Sequence, residues 1–119
     1  MQDGREIEYA DISFRSDRDV VLVAVTQDGR ALEYADEKFR SNRYVVVTAV
    51  TQDGLALQYA GMSILSDRDV VLAAVTLDGP ALNWAHWSLA RDCGVVSAAI
   101  TENPEAILYA DEEMYHRFF

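Results

Sequence analysis

Residues 16–40 read SDRDVVLVAVTQDGRALEYADEKFR, and residues 66–90 read SDRDVVLAAVTLDGPALNWAHWSLA. The same text recurs over 41–65 and 91–115 with no insertion or deletion. Met1-Gln2-Asp3-Gly4 enters partway through a copy, in register with Thr26-Gln27-Asp28-Gly29. A fixed period of this length is the signature of an array whose units bury their apolar faces on one another. The reading is a single array over 1–119: a partial repeat at 1–15, full repeats at 16–40, 41–65, 66–90 and 91–115, and a tail at 116–119.

Each copy divides at Asp-Gly. The first segment, Val20–Thr26 in copy one, is rich in β-branched residues and by propensity alone suits a buried strand. Comparison of the copies decides against the strand. Val20, Val45, Val70 and Val95 correspond, as do Val21, Val46, Val71 and Val96. Ala24, Ala49, Ala74 and Ala99 correspond, followed by Val25, Val50, Val75 and Ile100, while the two intervening sites vary. Strict sites at i, i+1, i+4 and i+5 lie on one side of a helix, whereas each face of a strand would mix strict and loose positions. The segment is read as helix A.

The second segment keeps Ala31, Leu32, Tyr34, Ala35 and Phe39, matched by Ala56, Leu57, Tyr59, Ala60 and Ile64 and by Ala81, Leu82, Trp84, Ala85 and Leu89. The spacing i, i+1, i+3, i+4, i+8 forms a wide helical stripe, read as one helix B. The alanines permit close approach of neighbouring helices, and the Tyr or Trp fills space between copies with its polar atom at the rim. Ser16 and Ser66 sit as capping-box residues before Asp19 and Asp69, with Asp17 and Asp67 as alternative caps. Gly29, Gly54 and Gly79 can supply a left-handed turn ending helix A. Pro80 and Pro104 sit where a first-turn proline is tolerated. With an orphan helix B near Arg5–Phe14, where Glu6 replaces the usual alanine, the expected fold is all-α: an α-solenoid of 25-residue helical hairpins with about nine short helices.

The run Asp-Arg-Asp-Val-Val-Leu-Ala-Ala-Val (67–75), then Asp-Gly-x-Ala-Leu-x-Tyr/Trp-Ala, resembles the repeats of domain of unknown function 4116 (DUF4116) over nearly the whole chain. The resemblance implies a helical-repeat fold and brings no catalytic motif. The sequence departs from the pattern at Tyr44, which stands where Asp19 and Asp69 have counterparts, and at Cys93-Gly94, where Arg-Asp is the rule.

Half of the residues are apolar, sufficient for a core. Twenty acids against ten Lys and Arg give a net charge of −10, which repels phosphate backbones and anionic membrane surfaces and favours a basic or apolar protein partner. The same charge also serves simply to keep an isolated array dispersed. Apolar runs such as Val20–Val25 are too short to span a bilayer, and no cationic apolar leader is present. Cys93 is the only cysteine, so an internal disulfide is excluded and an intracellular, cytoplasmic setting is expected.

Catalytic constellations are scarce. Cys93 and His86 form a conceivable thiol–imidazole pair, but a surface cysteine and a surface histidine account for both residues. His116 has no ligand-spaced companion. Asp3, Asp28, Asp53 and Asp78 form an acidic ladder that turn formation explains without calcium. No cofactor and no metal are expected. The copies disagree most in the third: His86-Trp87 stands where Asp36-Glu37 and Asp111-Glu112 stand, Met62 shares the site of Trp87 one copy earlier, and Leu65 and Leu77 replace Arg40 and Gln27. Variable outer positions are where repeat arrays meet partners, so Trp87, Met62, Leu65, His86 and Leu77 are the candidate protein-binding residues, against the alternative that central copies merely tolerate apolar outer sites. The expected role is non-catalytic protein binding. The alternatives are an end-to-end self-associating spacer and, disfavoured by charge, a nucleic-acid binder.

Overall fold

The computed structural model describes residues 17–118, and the orphan helix B, Ser16, Asp3 and Glu6 lie outside them. Every regular element among the described residues is helical, and none is a strand. Helix A of each copy is present and ten residues long: α1 (Arg18–Gln27), α3 (Arg43–Gln52), α5 (Arg68–Leu77) and α6 (Cys93–Glu102). Val and Thr are mediocre helix formers, and burial overrides that preference. Val21, Ala24, Val25, Val45, Val46, Ala49, Val50, Val70, Val71, Ala74 and Val75 are completely buried. Each fully buried valine contributes roughly 1.5–3 kcal/mol. The caps are Asp17, Asn42, Asp67 and Asp92, each accepting from backbone N–H groups of its first turn. The caps therefore precede the Arg-Asp step, and neither Tyr44 nor Gly94 abolishes them.

The second segment is not one helix. In each of the four described copies it is a six-residue 3-10 helix followed by an extended break and a short helical turn. The 3-10 helices are η1 (Gly29–Tyr34), η2 (Gly54–Tyr59), η3 (Gly79–Trp84) and η5 (Pro104–Tyr109). The turns that follow are α2 (Glu37–Arg40), α4 (Met62–Leu65) and the 3-10 turn η4 (Leu89–Arg91). The last, α7 (Glu112–Phe118), runs through the expected tail, and Phe118 packs against the core. The expected count of about nine helices is too low, because segment B is split: twelve helical elements stand among the described residues. The break has a physical cause outside the segment. Ala35, Ala60 and Ala85 are extended. The N–H that follows is free to bond the preceding copy: Gly61 N donates to Arg40 O, His86 N to Leu65 O and Asp111 N to Ala90 O, at 2.8–2.9 Å. A continuous helix would have consumed those donors internally.

The Asp-Gly step also differs from the expected left-handed turn, since no glycine among the described residues has positive φ. Asp28, Asp53 and Asp78 are themselves extended. Their N–H groups close helix A on Ala24, Ala49 and Ala74, and the carboxylates of Asp28 and Asp53 receive the N–H of Arg30 and Leu55. One residue thus ends one helix and starts the next.

Consecutive copies pack on one another: α1 on α3, α3 on α5, α5 on α6, with η1 on η2, η2 on η3 and η3 on η5. Ala31, Ala56, Ala81 and Ala106 are buried at the seams, with Leu32, Leu57 and Leu82 beside them. Phe39, Ile64, Leu89 and Met114 pin the short turns to the same core. Tyr59 and Trp84 are half-buried, while Tyr34 and Tyr109 at the outer copies are exposed.

Candidate functional site

The break after the 3-10 helix fixes an edge of the molecule on which positions 36–37, 61–62, 86–87 and 111–112 recur. Met62 opens the turn Met62–Leu65 and is 82% exposed, and Trp87 is 66% exposed at the equivalent site of the next copy. Leu65 is half-buried against the core, and its carbonyl holds the His86 N–H at 2.8 Å. That hydrogen bond brings Met62, Leu65, His86 and Trp87 to one edge. His86 Nδ1 accepts from the Ser88 N–H at 3.2 Å and lies 2.8 Å from Ser88 Oγ. It thereby performs the capping that Asp111 performs for Glu113 N. Its ring centroid lies 5.4 Å from that of Trp87, tilted 36°. In the outer copies this edge carries Asp36-Glu37 and Asp111-Glu112.

Leu77 does not join the group. It is 49% exposed but sits at the far end of the ten-residue α5, about 15 Å along the helix from its start.

The imagined thiol–imidazole pair is not assembled. The Cys93 thiol receives Arg117 Nη1 at 3.1 Å, and the His86 bonds run to Ser88. Of the acidic ladder, Asp28 and Asp53 are individually engaged by the N–H of Arg30 and Leu55, and Asp3 lies outside the described residues. Asp53 Oδ2 takes Arg30 Nε at 2.8 Å, and Gly54 lies directly against Asp78. Burial, then the charges of Asp53 and Glu102, push the Asp78 carboxyl above the ordinary aspartate range. Among the described residues no group of three or more His, Cys, Asp or Glu is placed to hold a metal ion. Nor is any described helix long and apolar enough to cross a membrane.

One set of contacts escaped the sequence reading. Arg43 Nε meets Asp67 Oδ2 at 2.8 Å, and Arg68 Nε meets Asp92 Oδ2 at 2.9 Å, joining consecutive copies. The neighbouring guanidinium holds the Asp67 and Asp92 carboxyls below their usual range. The signal was present as an arginine followed 24 residues later by an aspartate. Where the sequence departs, the contact is exchanged. Asn42 carries no charge to form the ion pair with Arg18, which lies over the Tyr44 ring at 5.5 Å from its centroid. Cys93 replaces the arginine, and Arg117 stands in place of the aspartate.

Residues 1–40 and 42–90 match the model of a family described as a domain of unknown function, DUF4116. No curated protein and no solved structure matches the chain.

Proposed function

The chain belongs to the DUF4116 family, whose description assigns no function, and we propose that it is a non-catalytic helical-repeat module, an α-solenoid whose edge at Met62, Leu65, His86 and Trp87 contacts another protein. The observation that carries this reading is the pair Met62 and Trp87. Two large apolar side chains stand 82% and 66% exposed at equivalent sites of consecutive copies, where the outer copies carry Glu37 and Glu112. Isolated exposed apolar residues need no explanation, but adjacent ones around a tryptophan mark contact centres. The acidic balance of the chain favours a partner that is apolar at the centre and not itself acidic.

The solenoid part of the reading is supported by the successive packing of each helix A on the next and by an elongated shape, 48 × 26 × 18 Å. The non-catalytic part is supported by the separate engagement of Cys93 with Arg117 and of His86 with Ser88, so that Cys93 and His86 form no thiol–imidazole pair. The test is capture by the full chain through a photoreactive group at position 87, compared with a Met62→Ala/Trp87→Ala variant of unchanged circular dichroism. Loss of affinity by about tenfold or more for the crosslinked protein is expected. Undiminished binding by the variant would overturn the reading.

A further inference from the structure

Glycine stands at 29, 54 and 79, and proline at the equivalent position 104. The glycines are not required by backbone conformation, since none has positive φ. They are required by proximity. A Cβ at Gly29, Gly54 or Gly79 would collide with the carbonyl oxygen of Ala49, Ala74 or Ala99, in each case the helix A of the following copy. One of these glycines also donates across the same seam, Gly79 N to Glu102 Oε1 at 2.6 Å. Pro104 has a Cβ and no N–H. It is exposed, with Leu108 77% exposed beside it and Ile107 only half-buried.

We propose that Pro104 closes the array: it blocks a further copy of this repeat, in the same chain or on another molecule, from packing on the Pro104–Tyr109 face as the copies pack on one another. The inference rests on the reading of the copies as consecutive tiers. The collision met at three equivalent glycines would be met at position 104 by any fifth helix A in the same pose. The acid that would face it across the seam would find no donor. Self-association by continued stacking on this face is thereby excluded, and apolar Leu108 is left to contacts of a different shape.

Two chains in which the sequence of residues 66–90 follows Tyr115 as a fifth copy test the proposal, one keeping Pro104 and one carrying Pro104→Gly. Amide hydrogen exchange in the added helix is expected to be at least about tenfold slower in the Pro104→Gly chain. Equal protection in both would overturn the proposal. Absence of protection in both would also overturn it, because closure would then have a cause other than Pro104. In the 119-residue chain, Gly54→Ala is expected to lower the urea midpoint, and Pro104→Ala to change it far less. A silent Gly54→Ala would sink both the tier reading and the proposal. A costly Gly54→Ala with equal exchange in the two extended chains would sink the proposal alone.

Discussion

Asp78 is a carboxylate whose position works against its charge. Burial and the like charges of Asp53 and Glu102 raise its pKa, and the Gly54 amide and Arg30 offset only part of that. An unfolded aspartate ionises near about 3.9. With the folded value raised, the native state holds the proton more tightly than the unfolded chain. The contribution of Asp78 is thus most favourable below the unfolded pKa and deteriorates as pH rises through the folded one. Asp67 and Asp92 have the opposite sign. Their lowered folded values make their contribution present above the unfolded pKa and lost as pH falls through the folded one. Asp78→Asn is therefore expected to raise the urea midpoint at pH 7 and to leave it nearly unchanged at pH 3. The turn survives the change, because Asn103 holds the same site in the fourth copy and accepts the Glu105 N–H at 3.0 Å. A midpoint lowered at pH 7 would show that the charge of Asp78 stabilises the native state. The ladder containing Asp78 was legible in the sequence, but its electrostatic sign was not. That sign depends on which group of the neighbouring copies faces each acid: Arg30 of the preceding copy pairs with Asp53, whereas Asp78 has the like charges of Asp53 and Glu102 on its two sides.

At the scale of elements, helix A was legible and segment B only in part. The four strict sites of helix A are fixed by burial, and Val21, Ala24 and Val25 report the same helical face in the structure as in the text. In segment B the apolar spacing suits a continuous helix and also a 3-10 helix, where residues i and i+3 eclipse, as Ala31 and Tyr34 do. Nothing local announces the stop. Ala60, Ala85 and Ala110 are good helix formers, and the chain leaves helical geometry to donate the next N–H to the preceding copy. The cap was equally ambiguous between serine and aspartate, and the aspartates hold it while also receiving an arginine from the copy before. Asp92 carries both roles at the start of α6. Asp92→Ala should cost about 1 kcal/mol from the cap alone. Asp92→Asn should cost less, because Asn42 caps α3 through Val45 N in the same manner. Urea denaturation of the two variants separates cap from charge. Equal losses would assign the stabilisation to the Arg68 pair instead.

Across the whole molecule, stability is distributed by how many neighbours each copy has. Among the described residues, Leu57 lies between copies on both sides and is fully buried, whereas Ile107, at the equivalent site of the fourth copy, is only half-buried. Truncating a fully buried leucine removes its transfer free energy and leaves a cavity, together about 2–5 kcal/mol. At Ile107 part of that surface is already in water, and the cavity opens to solvent. Leu57→Ala should therefore destabilise the chain at least about twice as much as Ile107→Ala. Because units of such an array couple mainly to nearest neighbours, the effects should also differ in place. Leu57→Ala should accelerate amide exchange in both α3 and α5, and Ile107→Ala chiefly in α6. The same burial gradient separates the two explanations for the apolar outer sites of the central copies. Met62 and Trp87 remain more exposed than Tyr59 and Trp84, the half-buried aromatics three residues before them, so extra burial of central copies does not account for them. Trp87→Ala should accordingly shift stability by no more than about 0.5 kcal/mol. A larger loss in urea denaturation would make Trp87 a packing residue and remove it from the contact edge.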